Sequence, residues 1–173
     1  MMSSDNIGPE IDAADISERL VGITPVYLQN FIQRGSYGLR SSVSPGKVRS
    51  QRRLFSVEDV YGIALVWELF ESGLRGDPIA RILKDVAGTK KADANKAAVK
   101  LLENKSAYLL IFRTARRPSK SISKMPIQSV ETLTEEGFTR ALQRWPHKSG
   151  QVIAVGKKFA DVRTRLGILF DVR

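Results

Sequence analysis

The chain has 173 residues, of which 42% are hydrophobic, and it carries a formal net charge of +10. This length fits one domain of ordinary size or two small ones, and the hydrophobic fraction is sufficient for a folded core. No apolar run approaches the ~20 residues of a membrane span, and the acidic start is not typical of a secretory signal. These features predict a cytoplasmic protein that does not associate with membranes.

Residues suited to catalysis or metal binding are scarce. The sequence has no cysteine and a single histidine, His147. Disulfides, thiolate metal sites and cysteine nucleophiles are therefore excluded, and nothing near His147 supports a Ser–His–Asp triad. Without a His or Cys partner, acids such as Glu131 and Glu135 are interpreted as helix caps and surface charges. The sequence predicts neither an enzyme nor a bound metal or cofactor.

The positive charge is unevenly distributed. Residues 1–15 hold four acids and no base, residues 16–86 ten bases and seven acids, and residues 87–173 eighteen bases and seven acids. Two segments, 34–53 and 113–124, contain bases and no acid. Such segments bind phosphate readily, because each neutralised phosphate releases condensed counterions. The plainer interpretation is a solvated surface that promotes solubility.

Two short helices joined through a glycine are predicted first, which is the outline of a helix-turn-helix. Each has a polar residue suited to capping, an apolar stripe and a terminal glycine. The start and stop residues are Asp15 with Glu18 and Gly22 for the first helix, and Thr24 with Pro25 and Gly35 for the second.

A basic wing and two further helices are predicted next. Two short strands around a loop at residues 44–46 would form the wing. The third helix begins at Ser56 with Asp59 as its capping-box partner, and it closes at Gly73. Its apolar stripe is Val60, Ile63, Ala64, Trp67 and Phe70. A fourth helix starts at Asp77 and is followed by Gly88.

The order of these elements and two motifs resemble the MerR family of bacterial regulators, over roughly Asp15 to Val86. Residues 28–35 read Leu-Gln-Asn-Phe-Ile-Gln-Arg-Gly, and residues 53–60 read Arg-Leu-Phe-Ser-Val-Glu-Asp-Val. The resemblance implies a winged helix that reads DNA as a dimer. The chain departs from the family at Gln29 and Asn30, where an arginine and a tyrosine are usual. Its wing is also longer, and residues 90–105 give at most one short helix in place of a long dimerisation helix.

The C-terminal half is expected to be a small α/β module, in which we recognise no family. Residues 108–112 are predicted to form a central strand. Two more strands are predicted at residues 127–133 and 151–155. Thr132 with Glu135 would form the capping box of an intervening helix. A last helix starts near Lys157, with its apolar face formed by Phe159, Val162, Leu166, Leu169 and Phe170.

Together these predictions describe an α+β protein in three parts. An acidic flexible segment spans residues 1–14, and a MerR-like winged helix-turn-helix DNA-binding domain spans 15–88. Residues 89–173 form the small α/β module with about three strands and two to three helices, for dimerisation or effector binding.

We expect a DNA-binding transcriptional regulator associated with the nucleoid, which binds double-stranded DNA as a homodimer. Its second helix would enter the major groove and its wing would lie on the backbone. The candidate DNA-binding residues are Thr24, Tyr27, Gln29, Asn30, Gln33, Arg34, Arg40, Lys47, Arg49, Arg52 and Arg53. A second basic patch comprises Arg113, Arg116, Arg117, Lys120 and Lys124.

Two alternatives stay open. One is an excisionase-like or architectural chromosome-binding protein without effector control. The other is a protein-interaction module whose basic face binds an acidic partner, with the acidic N-terminal segment able to mask the wing. The sequence identifies no small-molecule effector.

Overall fold

The computed structural model describes residues 11–39, 54–113, 127–143 and 150–171, without the side chains of Arg113 and Leu142. Its helices are an N-terminal π-helix (Asp15–Leu20), α1 (Pro25–Arg34), α2 (Val57–Glu71), α3 (Asp77–Ala87), α4 (Ala94–Glu103), α5 (Glu135–Gln143) and α6 (Val155–Asp171). Its strands are β1 (Ile11–Asp12), β2 (Leu54–Phe55), β3 (Tyr108–Arg113), β4 (Ile127–Leu133) and β5 (Gly150–Ile153). The α+β class is confirmed. Predictions for residues 1–10, the wing loop at 44–46 and His147 lie outside the described residues.

Helix α2 is the central element of the fold. Its predicted capping box is confirmed, because the Ser56 hydroxyl accepts from the Asp59 N–H (3.2 Å) and the Asp59 carboxylate accepts from the Ser56 N–H (2.8 Å). The prediction of a single apolar stripe was too narrow. Tyr61, Leu65 and Val66 are buried as well, because α3, α4 and α6 surround the helix.

Helix α4 packs against α2 at Gly62. A Cβ atom at Gly62 would overlap the Asn95 side chain and lie 3.2 Å from the Ala94 carbonyl carbon. The Asn95 amide also donates to the Asp59 carboxylate (2.5 Å). The predicted short helix within residues 90–105 is confirmed, and its alanines Ala94, Ala97 and Ala98 are buried.

The N-terminal boundary of the fold differs from the prediction. Strand β1 pairs antiparallel with β2, placing Ile11 opposite Phe55, and Ile11 is fully buried. Residues 11–14 therefore do not belong to the flexible segment that was predicted to extend to residue 14. Asp15 was also wrong as the cap of the first helix. The Asp12 carboxylate has that role and accepts from the Asp15 N–H (2.8 Å).

The C-terminal strands form an antiparallel sheet in the order β4-β3-β5, so the prediction of a central strand is confirmed. Leu109 and Ile111 face the main core, while Tyr108, on the opposite face, stacks on Phe138 of α5. The predicted capping box at Thr132 was wrong. Thr132 is a strand residue, and the hydroxyl of Thr134 accepts from the Gly137 N–H instead (3.2 Å).

One cluster of buried residues runs through both halves of the chain. It includes residues of the π-helix and α1–α3 together with those of α4, the sheet and α6. Helix α6 packs on α2, the π-helix and β3, burying its predicted apolar face. The expected division at residue 88 therefore does not coincide with a break in the core.

The α2–α4 contact predicts opposite effects of two glycine-to-alanine substitutions. Gly62→Ala should lower the free energy of unfolding by about 1–3 kcal/mol, because its methyl group must displace Asn95 and the α4 backbone. Gly167→Ala, at a glycine of α6 with open space around it, is the matched control and should raise stability by up to about 1 kcal/mol. Urea denaturation measures both. Equal effects would contradict the close contact.

Candidate nucleic-acid interface

Helix α1 is defined at both ends by the residues predicted to define it. Thr24 is the extended N-cap, although its side chain makes no capping hydrogen bond, and Pro25 occupies the first turn. Gly35 ends the helix in the left-handed region at φ 60° and donates to the Ile32 carbonyl (3.3 Å). The helix is therefore a short rigid rod of about 15 Å, which is the length of a few base pairs.

The solvent face of α1 is polar and carries no acid. At 100° per residue, six exposed or half-exposed side chains from Gln29 round to Tyr27 fall on one continuous arc of about 160°, and the exposed Pro25 lies just outside it. Gln29, Gln33 and Arg34 are exposed, and Asn30 is half-buried. Val26 is 68% exposed between them. This arc offers neutral hydrogen-bonding groups, one cation and one apolar contact. The members of the arc are Gln29, Gln33, Val26, Asn30, Arg34 and Tyr27.

An aromatic cluster fixes the side of α1 next to this arc. Phe31 is 6% exposed and packs edge-on against Phe70 of α2 (ring centroids 5.5 Å apart). Trp67 stacks on Phe70, with 5.4 Å between ring centroids. Tyr27 contacts Phe70 at 4.9 Å but keeps 40% of its surface exposed. Because several rings share this packing, α1 is held against α2 in one orientation.

Arg75 lies over the ring of Phe70, which Tyr27 of α1 also contacts. Its guanidinium lies 3.4 Å from the centroid of the Phe70 ring and donates to the carbonyls of Phe70 and Leu74. A stacked guanidinium retains its charge and is restricted in its rotamers. Arg75 therefore places a fixed exposed cation at the aromatic edge of α1.

The chain leaving α1 is attached to α4. The Ala94 N–H donates to the Tyr37 carbonyl (3.0 Å), and the Tyr37 ring packs edge-on against Phe31 (5.4 Å). At Gly38, with φ 69°, an added Cβ would overlap the Ala92 carbonyl. The basic segment that follows thus starts from a fixed point next to α1.

The chain entering α1 is held by cations of α6. The Lys158 ammonium donates to the Val21 carbonyl (3.2 Å) and pairs with Glu71 (3.6 Å). Arg165 donates to the Leu20 carbonyl (3.3 Å). These carbonyls close the π-helix, where backbone acceptors lack partners within the helix. The turn before α1 is therefore stabilised by the last helix of the chain.

Glu68 lies in the same α2–α6 junction. Burial raises the pKa of its carboxyl group, and the neighbouring carboxylates Glu71 and Asp161 act in the same direction. The ammonium groups of Lys157 and Lys158 oppose the rise in pKa. The ionised form of Glu68 is therefore less favourable in the folded protein than in the unfolded chain.

The predicted site residues are only partly described. Helix α1 brings together Thr24, Tyr27, Gln29, Asn30, Gln33 and Arg34. Arg113 lies in β3. The remaining candidates lie outside the described residues; they are Arg40, Lys47, Arg49, Arg52, Arg53, Arg116, Arg117, Lys120 and Lys124.

Sequence reasoning missed two residues of this surface, Val26 and Arg75. An exposed valine at the start of an amphipathic helix can be recognised from its position opposite the apolar stripe. Arg75 lies two residues after a helix-ending glycine, and the sequence does not show that the Phe70 ring under its guanidinium also contacts Tyr27 of α1.

Neither metal ligands nor membrane spans are found in the described ranges. There, no cluster of three or more His, Asp or Glu side chains is placed to hold a metal ion, and no helix is long and apolar enough to cross a bilayer. In comparisons with known proteins, no family model and no curated protein matches this sequence.

The raised pKa of Glu68 predicts a pH-dependent effect of Glu68→Gln. A group with a raised folded pKa stabilises the fold at low pH and loses that contribution as pH rises through the folded pKa. The variant should therefore be more stable than the wild type at pH 7. The difference should shrink as the pH falls through the raised folded pKa, and it should be lost below the ordinary value of about 4.5. Glu103→Gln, at the exposed end of α4, is the control. Thermal melts across pH measure this, and a destabilised Glu68→Gln at pH 7 would contradict it.

Proposed function

We propose that this chain binds double-stranded DNA, with the solvent arc of α1 in the major groove and the basic segment after α1 along the sugar-phosphate backbone. The observation that carries the proposal is the α1 face itself. It is mostly polar and free of acids, and the aromatic cluster holds α1 rigidly on the side next to it.

The side-chain types on α1 suit base recognition. Gln29, Asn30 and Gln33 carry amides, which can pair with the two major-groove edge atoms of adenine. Val26 and the exposed edge of Tyr27 can contact a thymine methyl group. The major groove is about 12 Å wide and admits one helix of this size.

The cations near α1 suit phosphate contacts. Arg34 lies in the last turn of α1, and Arg75 lies over the Phe70 ring, which Tyr27 also contacts. Segment 34–53 adds five further bases without an acid and starts from the point fixed at Gly38. We propose that it acts as the wing of a MerR-like winged helix, that the chain regulates transcription from a nucleoid-associated position, and that it binds as a homodimer.

The first test is DNA affinity across a salt series, by fluorescence anisotropy with a labelled duplex. Binding should weaken steeply as salt rises, because phosphate contacts release counterions. Arg34→Ala and Arg75→Ala should each lower affinity and reduce the slope of log K against log salt by about one. Arg140→Ala on exposed α5 makes the same charge change and is the control.

Salt-insensitive binding would overturn the proposal, as would equal losses in Arg34→Ala and Arg140→Ala. Selection from a random duplex library then separates modes of DNA binding. A palindromic consensus supports a dimeric regulator, whereas sequence-blind binding supports an architectural protein. If duplex binding is absent, the basic face has a different, acidic partner.

A further inference from the structure

Three lysines form a cluster in the α3–α4 loop and the first turn of α4. Lys90, Lys91 and Lys96 are exposed, and within the described ranges their side chains make no ion pair and no hydrogen bond. Neighbouring ammonium groups repel one another, so a group of them without counter-charges suits an anionic partner. We refer to these three residues as the lysine cluster.

The backbone beneath the lysine cluster is held by local hydrogen bonds. The Thr89 hydroxyl donates to the Lys91 carbonyl (2.6 Å), and the Lys96 N–H donates to the Asp93 carboxylate (2.9 Å), which caps α4. Residues 89–96 contain three bases and a single acid, the capping Asp93. The positive charge of this segment is therefore held in a defined place on the surface.

The lysine cluster lies next to the chain that leaves α1. Gly38 follows Arg34 by four residues, and its N–H donates to the Gly35 carbonyl (3.2 Å), so the chain turns directly after the helix. A Cβ atom added at Gly38 would lie 2.9 Å from the Cα atom of Asp93. Gly38 also lines the same cleft, of about 600 Å³, as two of the three lysines. The cluster is therefore located just past the end of α1 that carries Arg34.

We propose that the lysine cluster binds phosphates of the same duplex whose major groove receives α1. This inference rests on the proposed function and extends its contact surface to residues outside the helix and the basic segment that follows it. The major groove is about 12 Å wide, so the ends of a helix inside it lie near the bordering sugar-phosphate backbones. Cations just beyond one end of α1 are placed to meet phosphates there. Such contacts fix the orientation of the protein on the duplex and add affinity on every sequence.

One acid beside the lysine cluster provides a test of opposite sign. Glu58, in the first turn of α2, is exposed and lines the same cleft. Among the described residues it has no ion-pair partner. A phosphate bound at the cluster is repelled by the Glu58 carboxylate, so removal of that charge should strengthen DNA binding. A duplex that binds elsewhere would give no such gain.

The affinity test uses the full chain and a labelled duplex of mixed sequence, in fluorescence anisotropy across a salt series. Lys91→Gln and Lys96→Gln should each weaken binding by about two- to fivefold and reduce the slope of log K against log salt by about one, because each removes one phosphate contact. Glu58→Gln should strengthen binding by about twofold. The matched controls are Lys105→Gln and Glu103→Gln, which make the same charge changes at the opposite end of α4 and should bind as the wild type does.

A second measurement reports proximity to DNA independently of affinity. The chain has no cysteine, so Lys91→Cys carries a single thiol to which a DNA-cleaving iron chelate can be attached. The bound duplex should be cleaved by this conjugate. Cleavage by the corresponding conjugate of Lys105→Cys should be several-fold weaker.

Equal affinities and salt slopes in Lys91→Gln, Lys96→Gln and Lys105→Gln would overturn the phosphate contact even if the wild type binds DNA, and so would equal cleavage by the two conjugates. Losses in the lysine variants without a loss in Arg34→Ala would retain the lysine contact and overturn the placement of α1. If the wild type binds no duplex, the proposed function and this contact are both overturned.

Discussion

The close contact of α2 with α4 at Gly62 is the constraint on which the proposed interface depends. A side chain at that position would push the two helices apart and disturb two hydrogen bonds that attach α4 to the N-terminal half. One is the hydrogen bond from Asn95 to the capping carboxylate of α2, and the other is the bond from Ala94 to Tyr37 after α1. Helix α2 also carries Trp67 and Phe70, whose rings pack against α1. The α2–α4 contact therefore influences where α1 lies and where the chain leaves it.

The C-terminal half also supports the position of α1. A helix end leaves carbonyl groups without partners, and cations are the favourable partners for them. In this chain those cations come from Lys158 and Arg165 of α6, which bind the end of the π-helix. The turn into α1 is thus fixed by residues more than a hundred positions away, and the two halves share one core. An N-terminal domain that folds independently of the C-terminal half does not fit this packing.

Local signals were sufficient to predict most elements. Ser56 with Asp59, Pro25 and the glycines after the helices act within a few residues, so their effects can be predicted from the sequence. Features that depend on long-range packing were missed. The β1–β2 pairing and the all-round burial of α2 arise from contacts between distant segments, which periodicity does not encode. The caps at Asp12 and Thr134 each lie within three residues of the predicted ones, a shift that capping patterns alone do not resolve.

Affinity and selectivity come from different parts of this chain if α1 reads DNA. The α1 arc has one cation, Arg34, so it supplies little of the phosphate attraction that dominates binding free energy. Most of that attraction must come from the acid-free segments 34–53 and 113–124. The neutral amides of α1 add discrimination only where they meet matching base edges, because an unmatched buried amide costs free energy. Under this proposal, rigid support of α1 is what converts a general attraction for phosphate into a preference for one sequence.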